Sequence, residues 1–294
     1  MSFTAKDVGT LRQMTGAGMM DCKKALTEVD GNMDEAVAFL RQKGMASAAK
    51  KAGNVAAEGL IRASISADNK SAAVVEVNSQ TDFAAKNEDF INFVEAVAKT
   101  AVDNKINNIK DLLSADLNGK SVSDCAVELT AKIGEKVDVR RVSLVTAANS
   151  GTVAQYVHPV GSKVGVVVAL SEDNKVKASD MAMHIAAANP APEYISKDEI
   201  DPATIAKEVE IESKKDDLAG KPAEMIEKIV GGRVDKILAA KVLMQQAFIK
   251  DSNQKVEAYL AGAKVESFTR LDLGEGVEKK TEDYAAEVAA AMKV

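Results

Sequence analysis

Tryptophan is absent from this 294-residue chain, and tyrosine and phenylalanine occur only four and seven times. Base-stacking platforms are therefore scarce. A formal net charge of −6 also argues against a general phosphate-binding surface, so direct nucleic-acid binding is not expected. Histidine and cysteine occur twice each, as His158, His184, Cys22 and Cys125. They show no metal-ligand spacing and suggest no disulfide framework, so the expectation is no metal, no cofactor and a reducing compartment. With two histidines and no GxSxG motif, triad chemistry has little material to work with. No apolar run approaches the roughly 18 residues of a membrane span, and "MSFTAKDVGT" lacks a secretory pattern. The chain reads as cytoplasmic, with no membrane partner.

The glycine-rich stretches fail their own tests. "GKS" at 119–121 ends like a phosphate-binding loop, but Ser114 stands where the earlier glycine is required, so it reads as a turn. "GAGMMD" at 16–21 and "GEGVEK" at 274–279 each miss the third glycine of the dinucleotide fingerprint. An enzyme with bond-making chemistry of its own is not expected.

What is present is organised in pieces. Hydrophobic residues make up 46% of the chain and charged residues 28%, an ordinary globular composition. Residues 1–62 carry nine Lys or Arg against seven Asp or Glu, so the acidic excess lies beyond them. Residues 1–45 read as three short helices. Thr4 and Asp7 form a capping pair before Val8, Leu11 and Met14; Met19, Cys22, Leu26 and Val29 recur at helical spacing; Asn32 with Glu35 caps a third helix, which Gly44 is expected to stop. "MASAAKKAGNVAAEG" at 45–59 reads as a helical tether. About 45 residues make a marginal core, suited to assisting binding rather than housing chemistry.

An internal repeat follows. Displaced by 92 residues, "GLIRASISADNKSAAVVEV" from Gly59 aligns without a gap on "GTVAQYVHPVGSKVGVVVA" from Gly151, placing Ile61, Ile65, Val74 and Val75 on Val153, Val157, Val166 and Val167. Each copy reads as a β-hairpin, and "GEKVDVRRVSL" at 134–144 and "GAKVESFTRLDL" at 262–273 supply a third strand to each. Two related α+β lobes with small antiparallel sheets result. Between 198 and 238, Ile205, Val209, a "GKP" break at 220–222 and a seam of Met225, Ile226, Ile229, Val230, Val234 and Ile237 read as a projecting helical hairpin.

"LRQMTGAGMMDCKKALTE" at 11–28, "AAKKAGNVAAEG" at 48–59, "VNSQTDFAAK" at 77–86, "AMHIAAANP" at 182–190 and the tail "EDYAAEVAA" at 282–290 together resemble bacterial elongation factor Ts. The resemblance runs the full chain. It implies an α+β fold with an N-terminal ubiquitin-associated-like helical module and tether at 1–55 and a core N-lobe at 56–146. A core C-lobe at 147–197 and 239–280, an inserted coiled-coil hairpin at 198–238 and a C-terminal helical module at 281–294 complete it. It further implies guanine nucleotide exchange on elongation factor Tu, GDP-bound or nucleotide-free, with the hairpin allowing a dimer of heterodimers. A non-catalytic scaffold or chaperone-like binder is the other class of function the pieces allow.

The same resemblance implies the contact residues. Thr81, Asp82, Phe83 and Ala84 match the signature that enters the partner's GTPase domain near its magnesium and phosphate site; Ala84 replaces the family's common Val. Lys23, His158 and the "QQAFIKD" segment, with Phe248 and Ile249, match further contacts. From the residues alone, Phe83 reads rather as a core aromatic at a strand-to-helix junction, alongside Phe90 and Phe93 on the next helix, and it is the resemblance that reverses this reading.

Overall fold

A computed structural model describes residues 3–278; the C-terminal module expected at 281–294 lies outside the described residues. Three helices open the chain: α1 (Ala5–Thr15), α2 (Met19–Glu28) and α3 (Met33–Lys51). Thr4 and Asp7 form the anticipated capping box, and Asn32 accepts from the Asp34 and Glu35 amides while its own amide donates to Glu35. Val8, Leu11, Cys22, Ala25, Leu26 and Ala36 form the small core. Met14 and Met19, expected on that apolar face, lie exposed instead.

Gly44 does not end α3, which continues to Lys51. A Cβ on Gly44 would stand 3.1 Å from the Ala131 Cβ, so the glycine marks a close approach between two helices rather than a stop.

Next come β1 (Glu58–Ile65), β2 (Ser71–Ser79), the single turn α4 (Asp82–Ala85), α5 (Glu88–Asp103), α6 (Ile109–Ser114), α7 (Val122–Ile133) and β3 (Asp138–Thr146). After them stand β4 (Thr152–Val157), β5 (Val164–Leu170), α8 (Lys175–Ala187), α9 (Pro202–Ser213) and α10 (Ala223–Lys241). The short β6 (Ala247–Phe248) and β7 (Asp251–Lys255), then α11 (Val256–Leu260) and β8 (Val265–Asp272), close the described chain. Two antiparallel three-stranded sheets result, ordered β1-β2-β3 and β4-β5-β8. Ala73, Val75 and Val77 face Phe90, Phe93, Val94 and Val97 of α5; Val166, Val168 and Leu170 face Met181, Ala182 and Ile185 of α8. The opposite faces meet each other through Ile61, Ala72 and Val74 on one sheet and Val153, Val167 and Ala169 on the other. The arrangement is helix, sheet, sheet, helix. It buries both faces of β2, whose nine residues are all enclosed.

The internal repeat is real, with one correction. Gly59 and Gly151 are equivalent at the anticipated displacement: a Cβ would fall 2.2 Å from Val77 O in one and 2.1 Å from Leu170 O in the other. Those carbonyls, however, are displaced by 93 residues, not 92. The second hairpin turn holds one extra residue, so Val74 pairs in role with Val167, and Val75 with Val168. A one-residue slip in a strand moves every side chain to the other face. Reciprocal contacts confirm the corrected equivalence: Ile61 N donates to Ser162 O at 2.9 Å and Val153 N to Asn69 O at 3.1 Å. Asn69 and Ser162 both adopt left-handed backbone. Contacts that exchange equivalent residues in this way are the signature of two-fold packing.

A carboxylate locks the two sheets together. Glu76 of β2 is fully buried on the inter-sheet face; Arg140 Nη1 donates to both its oxygens at 3.1 Å, Arg141 Nε donates to one, and Gly274 N donates at 2.8 Å from beyond β8. Burial pushes the Glu76 carboxyl up, but the Gly274 amide and the Arg141 guanidinium outweigh it and hold the group below the ordinary carboxylate value of 4.5. A depressed folded pKa means stability that is fully present above the unfolded value and lost as pH falls through the folded one. Glu76→Gln is therefore expected to be less stable than the parent at pH 7, with the gap closing as pH drops below 4.5; urea unfolding across pH checks this, and a constant gap would contradict it.

Helices α9 and α10, which occupy the segment read as an arm, pack on each other with the seam shifted in phase. Ile200, Leu218, Val230, Val234 and Leu238 are buried with Val242, whereas Met225 is exposed and Ile237 only half-buried. The arm's base is narrow, since Tyr194 and Val242 form a bridge and Glu193 N donates to Lys241 O at 2.9 Å. Deleting 198–238 and joining the ends is expected to preserve both sheets and most of the melting temperature, because the seam, apart from Val242 and Tyr194 at its base, lies within the deleted segment. Circular dichroism during melting tests this, and a cooperative collapse of the whole protein would place the arm in the core.

Candidate functional site

Strand β2 ends at Ser79, and the chain then builds an exposed turn from a few polar groups. Thr81 is the N-cap of α4, its hydroxyl oxygen accepting from Ala84 N at 3.2 Å. That hydroxyl also donates to Glu135 Oε1 at 2.8 Å, while Thr81 N donates to Glu135 Oε2 at 2.9 Å. Ser79 Oγ donates to Thr81 O at 2.9 Å, so every polar group of Thr81 is engaged. The helix then breaks at Lys86 and restarts at α5, capped by Asn87.

Phe83 stands on this turn with 80% of its surface exposed. The core alternative is thereby excluded, and Phe90 and Phe93 fill the core as anticipated. Asp82 is exposed beside it. The Lys86 ammonium donates to Asp82 Oδ2 at 2.6 Å and holds that carboxyl below its usual range, with Lys163 contributing at longer reach. Lys86 also lies 5.6 Å from the Phe83 ring centroid. Ala84 is buried beneath the turn.

The other expected contacts are dispersed. Lys23 is exposed on α2. His158 begins the β4–β5 turn, exposed, with Val160 N donating to its Nδ1 at 3.3 Å. That turn returns through Lys163, which pairs with Glu58 at 3.3 Å opposite Ser79, so the His158 hairpin stands on the same edge as the Asp82 turn. Phe248, expected as a contact, is 2% exposed in the free protein, its ring stacked on Tyr259 at 4.0 Å and tilted against His184 at 6.0 Å. Its neighbour Ile249 is 45% exposed and lines an open groove with Ala187, Pro190, Lys236 and Gln245.

Sequence reasoning missed how this segment is fastened. Ile249 N donates to His184 Nδ1 at 3.2 Å, which leaves Nε2 to donate to Gln246 Oε1 at 3.0 Å. Burial lowers the His184 pKa, with the Gln246 bond opposing it, in keeping with an imidazole that accepts at Nδ1. Asp180 accepts from Lys250 Nζ and Tyr259 Oη, both at 2.5 Å; burial and then Asp180 push the Tyr259 phenol up to about 12. Both "AMHIAAANP" and "QQAFIKD" were visible as motifs, but nothing local pairs them. Glu135 was likewise invisible, lying 54 residues from Thr81 within a stretch that reads as the start of a strand.

Among the described residues, no group of three or more His, Cys, Asp or Glu is arranged to hold a metal, and no helix is long and apolar enough to cross a membrane.

Comparison with known proteins agrees with this arrangement. The family described as "Elongation factor TS" matches residues 80–275, a span that opens on the turn and ends past β8. "Elongation factor Ts" of Hydrogenovibrio crunogenus is 47% identical over 294 residues, covering 99% of this chain and 98% of its own. The proteins of that name from Alkalilimnicola ehrlichii and Nitratiruptor sp. are 46% and 44% identical, covering 99% and 100% of this chain and 98% and 100% of their own. On a family match spanning two thirds of the sequence and relatives 44–47% identical over nearly all of it, the chain belongs to the elongation factor Ts family.

Proposed function

We propose that this protein promotes GDP release from elongation factor Tu, the activity its family membership implies, and that it does so by inserting the Asp82–Phe83 turn beside the partner's magnesium and phosphate site. The single observation that carries the mechanism is Phe83, an exposed aromatic ring on a turn whose backbone is fixed by Glu135. No bond is made or broken by the factor itself. Exchange instead requires tighter binding to the nucleotide-free partner than to the nucleotide-bound one, and by linkage the factor weakens nucleotide affinity equally. A nucleotide held at about nM with an on-rate of about 10⁶ M⁻¹s⁻¹ leaves at about 10⁻³ s⁻¹, so release within a second needs about 10³-fold, or roughly 4 kcal/mol. One phenylalanine contributes about 1.5 to 3 kcal/mol on burial, so other contacts must cooperate. Lys23, His158 and Ile249 are exposed and available for that purpose.

The remaining parts fit the same reading. The three opening helices serve as the ubiquitin-associated-like docking module, and the arm serves as a coiled coil. Its exposed Ile205, Val209 and Met225 support a contact surface, including one that would pair two partner complexes. Release of a fluorescent GDP analogue from purified elongation factor Tu tests the function. Substoichiometric amounts of this protein are expected to accelerate it, and an unchanged rate would make the protein a scaffold rather than an exchange factor.

A further inference from the structure

We propose that Glu135 is a positioning residue for exchange: the loop Gly134–Glu135–Lys136 is the mount that aims the Asp82–Phe83 turn at the partner. The inference rests on the insertion mechanism above.

The turn cannot orient itself. Helix α4 has four residues, far below the roughly 12 to 15 at which an isolated helix becomes even marginal in water. Apolar burial fixes only its inner side, through Ala84 and Ala85, while Phe83 points away from any packing that would hold its ring. Direction therefore comes from the polar end, and three consecutive residues after α7 supply it. Glu135 takes both the amide and the hydroxyl of Thr81, at 2.9 and 2.8 Å. Lys136 N donates to Gln80 Oε1 at 2.9 Å, holding the preceding residue. Gly134 O accepts from Lys51 Nζ at 2.5 Å, which ties the mount to the end of α3. Two charge-assisted bonds on one residue are stronger and more directional than neutral ones.

The internal repeat supplies a control. At the corrected displacement of 93 residues the counterpart of Thr81 is Asn174, which also caps a helix, accepting from Lys177 N at 3.1 Å. There α8 runs on without the broken first turn, and among the described residues no carboxylate reaches Asn174. The half that displays an exposed aromatic is the half with the carboxylate fastening.

The full chain is tested against elongation factor Tu carrying a fluorescent GDP analogue, with release followed as a function of factor concentration. Glu135→Ala is expected to lower the maximal release rate about tenfold, less than the roughly 10²-fold that a 1 Å misplacement can cost. The half-saturating concentration should stay within about threefold, because the other contacts are untouched. Glu135→Gln retains one carbonyl acceptor and should fall between, and it carries the same comparison if the alanine variant does not fold. A residue acting through Phe83 should be silent once the ring is gone, so Phe83→Ala/Glu135→Ala should release no more slowly than Phe83→Ala alone. Amide hydrogen exchange at Thr81 should quicken in Glu135→Ala. Slow release by Phe83→Ala with wild-type release by Glu135→Ala overturns the positioning role alone. So does a double variant slowed by the product of the two single effects, or a raised half-saturating concentration with an unchanged maximum. Wild-type release by Phe83→Ala overturns the insertion mechanism and this inference with it.

Discussion

Phe83→Ala is expected to slow nucleotide release by tenfold to about a hundredfold and to leave the melting temperature within a degree or two of the parent. That range corresponds to losing most of the roughly 1.5 to 3 kcal/mol that burying a phenylalanine supplies, and only the part expressed in the nucleotide-free complex counts. The fold should be indifferent because the ring is 80% exposed in the free protein and its removal opens no cavity. Exposed substitutions of this kind usually change stability by less than about 0.5 kcal/mol. Rate and melting should be measured on the same preparation. A large melting loss, or an undiminished rate per folded molecule, would transfer the activity to the other contacts.

Phe248→Ala should do the reverse. Its ring is buried in the same core cluster as Leu170, Met181, Leu243, Val256 and Leu260 and is stacked on Tyr259, so truncation removes core packing. Removal of a buried phenylalanine costs about 3 to 5 kcal/mol, which lowers the melting temperature by roughly ten degrees in a protein of this size. Release per folded molecule, measured well below the transition, should remain near the parent rate. A stable Phe248→Ala protein with slow release would show instead that this segment opens to meet the partner with its ring.

These two phenylalanines mark the boundary of what local sequence holds. Caps, breaks and strand pairing are short-range, and they were legible: Thr4 with Asp7, Asn32 with Glu35, the break at 220–222, and the repeated hairpins that predict β1, β2, β4 and β5. They depend on bonds between residues a few positions apart, or on a period matched to one element. Family membership was legible for the same reason, being carried by contiguous motifs.

What only the tertiary structure decided depends on residues far apart in the chain. Phe83 and Phe248 each follow a short polar or glutamine-rich stretch, and nothing local distinguishes the exposed ring from the stacked one; what packs over each position does. Gly44 reads as a stop until Ala131 is placed against it. The extra residue in the second hairpin turn left the hydrophobic pattern intact, because valines occupy successive positions of a strand covered on both faces. Only the register showed which valine faces which layer. The carboxylates were hardest to read. Glu76 meets Gly274 across 198 residues and Glu135 meets Thr81 across 54, and a charged side chain carries no sign in sequence of the partner that will compensate its burial. The sequence determined which elements form and which family they belong to; the packing of two sheets and one loop decided where the charges are neutralised and which aromatic is left facing water.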